Sequence, residues 1–244
     1  MKLSVKSLLF DYGGTIDTNG VHWGEALWDI YCLYDNGLSR DIFSDVYVKI
    51  EQKLGSQSLI LPNHTFRETL EIKVRLQLEE LRVLRNQVTT IKSGLQKQTN
   101  LNLLKQVTET CYENTHRCIR SASEVLDQLK ECYPMYLVSN FYGNLREVLH
   151  EFNLTHYFQA VIESAEVGFR KPDPEIFRLA IEKTGCKPEE IVIIGDSYKN
   201  DIQPANQLGC RSIWLKVKGW NNEAEPVEHP LTIDDFSKLR TILL

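Results

Sequence analysis

The chain has 244 residues, 42% of them hydrophobic and 25% charged, with 28 Lys and Arg against 33 Asp and Glu. That balance suits one large or two small globular domains with a real core and excludes a disordered chain. The formal charge of -5 excludes a general nucleic-acid or anionic-membrane binder, which needs a basic face, and no run of about 18 apolar residues marks a membrane helix.

The opening MKLSVKSLLFDYGG turns polar too soon for a signal peptide and reads as a core strand over 3–10, broken at Asp11 and the turn Gly13-Gly14. From 19 to 117 there is no strand–helix rhythm, and Leu, Glu, Lys, Arg and Gln predict helices over His22–Asn36, Ser39–Leu54, Thr65–Gln87 and Asn102–His116. Ser39 and Thr65 serve as N-caps, and Gly37 and Gly55 as stops. Leu70, Ile72, Val74, Leu76 and Leu78 alternate as a strand would, but the charged residues between them favour a helix. The six cysteines, Cys32, Cys111, Cys118, Cys132, Cys186 and Cys210, form no Cys-x-x-Cys pair and read as buried reduced thiols of a cytoplasmic protein.

From about residue 120 helices and strands alternate: helix Glu124–Glu131, strand 135–138, helix Leu145–Phe152, strand 160–162, helix Pro174–Thr184, strand 191–194, helix Ile202–Leu208 and strand 212–215. Gly219–Pro230 reads as a polar surface loop. Alternation of this kind implies an α/β fold, a doubly wound parallel sheet with helices on both faces and the helical block inserted after the first strand. The expected limits are an α/β core of 1–18 plus 118–244 and an all-helical cap of 19–117. Linkers at Thr18–Gly20 and His116–Ser121 would let the cap open and close.

Ligands of open α/β sheets bind where strands end at their carboxyl edge. Polar side chains follow four strand positions here: Asp11 after Phe10, Ser139 and Asn140 after Val138, Lys171 within GFRKPDP, and Asp196 after Gly195 with Asp201 five residues on. Asp11 could attack a phosphorus centre and form an acyl phosphate that water cleaves. Asp11, Asp196 and Asp201 would hold Mg²⁺, a hard cation that prefers oxygen. Lys171 would neutralise charge, while Ser139 and backbone N–H groups near Asn140 would bind phosphoryl oxygens.

LLFDYGGTIDT, YLVSN, GFRKPDPEIF and IIGDSYKND resemble the four motifs of the haloacid dehalogenase (HAD) superfamily, in the subclass with a helical cap after the first strand. The resemblance implies that Asp11 is the nucleophile, Ser139 the phosphate binder, Lys171 the charge stabiliser and Asp196 a metal ligand. Asp201 would ligate directly or through water. Phosphatases of that superfamily carry a second Asp two residues after the nucleophile as general acid and base; this chain has Gly13. Its backbone carbonyl can still face the metal, but acid help worth about 10²–10⁴ in rate is lost.

Three readings stand. The first is a Mg²⁺-dependent phosphohydrolase for a small phosphorylated metabolite, slow on simple alkyl esters, its acid absent or supplied by a residue such as His22 or Asp17. The bland reading of both is a capping or turn group. In the second, DYGGTIDTNG resembles the first motif of phosphonoacetaldehyde hydrolases, which use a cap lysine; Lys49 or Lys53 would be that lysine, though a helical lysine is normally solvated. The third is a phosphate- or Mg²⁺-binding interaction module without turnover. A dehalogenase fits worse, because both fourth-motif carboxylates are present. Trp23 beside the hinge could shape the pocket.

Overall fold

Strands buried on both faces need unbroken apolar runs, and LLF, MYLV and IVII supply them. The computed structural model describes residues 5–35, 37–88, 95–220 and 229–244. These runs become β1 (Ser7–Phe10), β2 (Met135–Ser139) and β4 (Ile191–Gly195), every residue of which is buried. With β3 (Ala160–Glu163), β5 (Arg211–Leu215) and β6 (Thr232–Ile233) they form one parallel sheet in the order β3-β2-β1-β4-β5-β6. The two-residue β6 is too short to leave a pattern in the sequence.

Register decides what meets at the carboxyl edge. Phe10 lies level with Leu137 on one side and with Ile194 on the other. Asp11, the Val138–Asn140 segment and the Gly195-Asp196 turn therefore emerge together, on either side of the strand where the chain order reverses. Side chains alternate across the sheet: Leu8, Phe10, Leu137, Val192 and Ile194 join one apolar cluster, while Leu9, Val138, Ile162, Ile191 and Ile193 join a second.

Between β1 and β2 lies the helical cap: α1 (Trp23–Tyr34), α2 (Arg40–Ser56), α3 (Phe66–Val88) and α4 (Leu95–Leu129). Ser39 caps α2 by accepting from Ile42 N–H, and Gly55 falls inside the last turn of α2 rather than after it. Thr65 and Glu68 cap α3 reciprocally: the Thr65 hydroxyl accepts from Glu68 N–H at 3.2 Å and the Glu68 carboxylate from Thr65 N–H at 2.8 Å. The period-two stretch Leu70–Leu78 is helical, with Leu70, Val74, Leu78 and Leu81 buried at helical spacing.

Helix α4 overturns one expectation. Residues 116–121 are not a linker, because α4 runs through them and takes in the helix expected to begin at Glu124. Nothing between Leu95 and Leu129 is Gly or Pro, so no residue breaks the ladder. The remaining helices, α5 (Leu145–Glu151), α6 (Ser164–Val167), α7 (Glu175–Thr184), α8 (Gln203–Gln207) and α9 (Leu239–Leu243), belong to the sheet domain. Of the loop expected at Gly219–Pro230, residues 221–228 lie outside the described residues. Trp220, within it, packs on His22 and Tyr47 of the cap. Among the described residues no helix is long and apolar enough to cross a membrane. Of the six cysteines expected as buried thiols, Cys111 and Cys210 are buried, Cys118 and Cys186 half-buried, and Cys32 and Cys132 exposed.

Candidate active site

Four charged side chains from three separate stretches converge at the sheet edge. Lys171 Nζ lies 2.5 Å from Asp11 Oδ1 and 2.7 Å from Asp201 Oδ1, and it donates to the Val138 carbonyl at 3.2 Å. The Thr15 hydroxyl donates to Asp11 Oδ2 at 3.0 Å and to Asp196 Oδ1 at 3.3 Å. Asp11, Asp196 and Asp201 each offer an oxygen within 4.8 Å of the other two. Asp11, Lys171 and Asp201 are at most 5% exposed.

Two glycines make this crowding possible. A side chain at Gly14, where φ is +97°, would run into the Asp196 carboxylate at 2.4 Å, and one at Gly195 would meet Asp201 Cγ at 2.4 Å. Asp201 is fixed further by the Ser197 N–H, which donates to its Oδ2 at 3.1 Å. The Trp214 indole holds the Asp196 backbone carbonyl at 2.9 Å.

The electrostatics follow from burial and from an excess of negative charge. Burial works against the Lys171 ammonium, yet Asp11 and Asp201 hold its pKa above the ordinary lysine value. Burial pushes the Asp196 carboxyl well above its usual range, and Asp11 and Asp201 add repulsion. Asp201 is raised to about 6, again by burial first, with Lys171 pulling the other way. Three clustered carboxylates balanced by one ammonium form an all-oxygen donor set short of positive charge. That set fits a hard divalent cation such as Mg²⁺.

Ser139 is 1% exposed, and among the described residues its hydroxyl finds no hydrogen-bond partner. A buried orphan hydroxyl at a strand end is costly unless a ligand satisfies it. Asn140 has a different task. Its side-chain amide donates to the Lys171 carbonyl and accepts from the Lys171 N–H, both at 2.9 Å, so it clamps the loop that carries the ammonium.

Over this edge lies a cavity of about 140 Å³ between core and cap, lined by Gly13, Asn140 and Tyr142 from the core and by His22, Trp23, Tyr47, Glu51, Thr69 and Lys73 among the cap residues. A Cβ on Gly13 would make only ordinary contact, 3.9 Å from Trp23 Cδ1. His22 caps α1, with Nδ1 accepting from Gly24 N–H at 3.0 Å, and burial lowers its pKa to about 4. Asp17 is a turn clamp: Oδ1 accepts from Gly14 N–H at 2.7 Å and Oδ2 from the Trp23 indole at 2.9 Å. Burial raises its pKa to about 7.

The expected cap lysines are elsewhere. Lys49 is 61% exposed and pairs with Glu80 at 2.6 Å, and neither Lys49 nor Lys53 lines the cavity. The lysine that does is Lys73 on α3, 6% exposed and 2.8 Å from Glu51. Thr69, Lys73 and Gln77, all buried, fall at four-residue spacing beside the apolar stripe of α3. The sequence carries no signal that sets Lys73 apart, since a helical lysine beside such a stripe is ordinarily solvated.

A family description, haloacid dehalogenase-like hydrolase, matches residues 5–209. A glyceraldehyde 3-phosphate phosphatase of Methanothermobacter thermautotrophicus is 33% identical over 128 residues, 50% of this chain and 57% of that protein. A phosphoserine phosphatase of Thermus thermophilus is 35% identical over 94 residues, 38% of this chain and 37% of that protein. The chain thus spans about half, or less, of the length of these curated relatives. Among solved structures, the magnesium-bound HAD-hydrolase YfnB of Bacillus subtilis superposes with a TM-score of 0.57 at 22% identity, covering 98% of both chains. A dehalogenase in an intermediate complex reaches a TM-score of 0.63 at 17% identity, covering 100% of this chain and 99% of the other. These two share the fold over nearly the whole chain. With that architecture, and with the family match running from the first strand past Asp201, the chain belongs to the haloacid dehalogenase-like hydrolases.

Proposed function

We propose that this hydrolase is a Mg²⁺-dependent phosphatase that moves the phosphoryl group of a small metabolite first to Asp11 and then to water. The observation that carries this reading is the meeting of Asp11, Asp196 and Asp201 with Lys171 at one sheet edge. Asp11 attacks phosphorus. Thr15 and Lys171, on its two oxygens, fix the orientation of its carboxylate. The Ser139 hydroxyl and the Lys171 ammonium bind phosphoryl oxygens, and Asn140 keeps Lys171 in place. Asp11, the Gly13 carbonyl, Asp196 and Asp201 would hold Mg²⁺, which supplies charge neutralisation when a carboxylate meets a phosphate dianion.

The cavity limits what is attached to the phosphate. At about 140 Å³ it falls below the roughly 300–1,000 Å³ of pockets for drug-sized ligands, so the leaving group holds few non-hydrogen atoms. Relatives named for glyceraldehyde 3-phosphate and phosphoserine agree with that size. The C–P bond reading loses support, because an imine needs a neutral amine. Burial disfavours the Lys73 charge, but Glu51 and other neighbours outweigh it and raise its pKa.

A phosphate-release screen with and without Mg²⁺ tests the proposal, over acetyl phosphate, C2–C3 phosphate esters, sugar phosphates and phosphonoacetaldehyde. Mg²⁺-dependent release from the small phosphates is the expected result. Turnover of phosphonoacetaldehyde alone, with a lysine trapped by borohydride, would replace this reading with C–P hydrolysis. Absence of any turnover with Mg²⁺ bound would replace it with the binding module.

A further inference from the structure

Gly13 removes the carboxyl group that would protonate the leaving oxygen, and most polar groups around the space it leaves are already engaged. The Thr69 hydroxyl donates to the Thr65 carbonyl at 2.9 Å. The Asn140 amide is spent on the Lys171 backbone. The Tyr142 hydroxyl donates to Glu51 Oε2 at 2.7 Å, which also keeps Glu51 an acceptor. Asp17 is not among the cavity-lining residues, and both of its oxygens accept hydrogen bonds. His22 uses Nδ1 as an acceptor for Gly24 N–H.

Two proton-bearing groups then remain, Tyr47, whose phenol burial holds protonated, and Lys73, and of these only the Lys73 ammonium brings a positive charge to a developing alkoxide. That ammonium has three N–H donors, and among the described residues its ion partner is Glu51 alone, at 2.8 Å. It lies 5.7 Å from the ring centre of Trp23 and 5.2 Å from that of Tyr142. Trp23 is the side chain that a Cβ on Gly13 would touch, so Lys73 borders the same space from the cap side. The Tyr142–Glu51–Lys73 chain also crosses from core to cap. The ammonium thus faces, from the cap side, the cavity that Gly13 borders from the core side.

We propose that Lys73 takes the place of the missing aspartic acid: its ammonium protonates the leaving oxygen as the P–O bond breaks. The assignment rests on the phosphatase reading above. Asp11 Oδ forms the new bond to phosphorus, the alcohol leaves with a proton from Lys73 Nζ, and the amine is left neutral. The amine then regains a proton from solvent, and hydrolysis of the aspartyl phosphate, a step common to all substrates, proceeds without Lys73. Glu51, bonded to Tyr142, holds Lys73 through the transfer. On this assignment alkyl esters are substrates, which reverses the expectation of slow alkyl turnover drawn from Gly13.

Acetyl phosphate and ethyl phosphate, of nearly equal size, separate the acid from everything else. Acetate departs as a stable anion, whereas ethoxide needs a proton. With Mg²⁺, Lys73→Met should slow aspartyl phosphate formation from ethyl phosphate by about 10²-fold or more, and lower kcat on ethyl phosphate far more than on acetyl phosphate. Gly13→Asp added to Lys73→Met should recover about tenfold or more on ethyl phosphate. Lys73→Arg keeps the charge and the Glu51 pair, but a guanidinium does not give up its proton, so the same selective loss is expected even if the Met variant folds poorly. Equal losses on both substrates, or an Arg variant with full ethyl phosphate turnover, would overturn the role of Lys73. A wild-type chain with no Asp11-dependent release from acetyl phosphate would instead overturn the phosphatase reading beneath it.

Discussion

The two walls of the site are built by different physics. On the core side, Asp11, Ser139 and Asp196 each stand at or one residue past the end of a buried parallel strand, and ladder register sets their mutual height. On the cap side, Trp23, Glu51 and Lys73 come from three helices whose relative placement depends on side-chain packing and on a few polar ties such as Tyr142 to Glu51 and Asn144 to His64 and Thr69. A one-residue slip in a strand would turn its side chains inside out, so the core wall is strongly specified. A helix can shift by a fraction of a turn at far lower cost. Asp11, Ser139 and Asp196 sit on the strongly specified wall, and the residues that enclose the rest of the cavity on the adjustable one.

The sharpest way to break the core wall is Asp11→Asn. It keeps the size and the hydrogen bond from Thr15 but removes the attacking carboxylate, so phosphate release should fall on the order of 10⁴-fold or more. A single-turnover assay with quantified acyl phosphate checks it. Lys171→Met comes next. It strands three buried carboxylates, and breaking such a pair costs about 3–5 kcal/mol of stability in denaturant unfolding. Because Asp196 and Asp201 hold protons more tightly than usual in the fold, the loss should be larger at pH 8 than at pH 5. Added Mg²⁺ should recover part of it, since a ligand that binds only the folded state stabilises it.

The same contrast explains what could be read from the sequence. LLF followed by Asp11, MYLV by Ser139 and IVII by Gly195-Asp196 are short-range patterns: an apolar run, a polar residue and a turn. A parallel sheet converts such patterns into one location, so Asp11, Ser139, Lys171, Asp196 and Asp201 were all legible. Lys73 was not, because whether a helical lysine faces water or a cavity depends on which helices pack beside it. Lys49 and Lys53 illustrate the error, since they stood on a plausible helix that turns them away from the site. The passage of α4 through 116–121 was missed for a related reason. The sequence shows where strands resume, but a helix without breakers carries no mark of a domain limit.

Asp17 sharpens the comparison from the hinge, where core turn and cap helix meet. Its carboxyl titrates near 3.8 when unfolded and at about 7 in the fold, chiefly through burial. The folded state thus binds the proton more tightly. The stabilisation this gives is fully present below about pH 4 and lost as the pH rises through about 7. Asp17→Asn cannot titrate, and its Oδ1 can still accept from Gly14 N–H. Unfolding free energies measured from pH 4 to 8 should therefore show wild type losing on the order of 3 kcal/mol relative to the Asn variant. Parallel curves for the two proteins would show that the buried carboxyl does not titrate in that window.

The smallest effect belongs to Lys49→Ala. Lys49 and Lys73 are both cap lysines with a glutamate partner, at 2.6 and 2.8 Å, so distance alone ranks them equal. Solvent ranks them differently. The Lys49 side chain is 61% exposed, whereas that of Lys73 is 7% exposed. Water and salt screen the outer pair, and holding two long side chains together costs entropy, so such pairs contribute about 0–1 kcal/mol. Lys49→Ala should change the stability by no more than about 0.5 kcal/mol, partly offset by the better helix propensity of alanine, and leave kcat and KM for acetyl phosphate unchanged. If Lys49→Ala instead reduced turnover, the helix α2 lysines would reach substrate after a cap movement, and the wall assigned to Lys73 would have to be redrawn around α2.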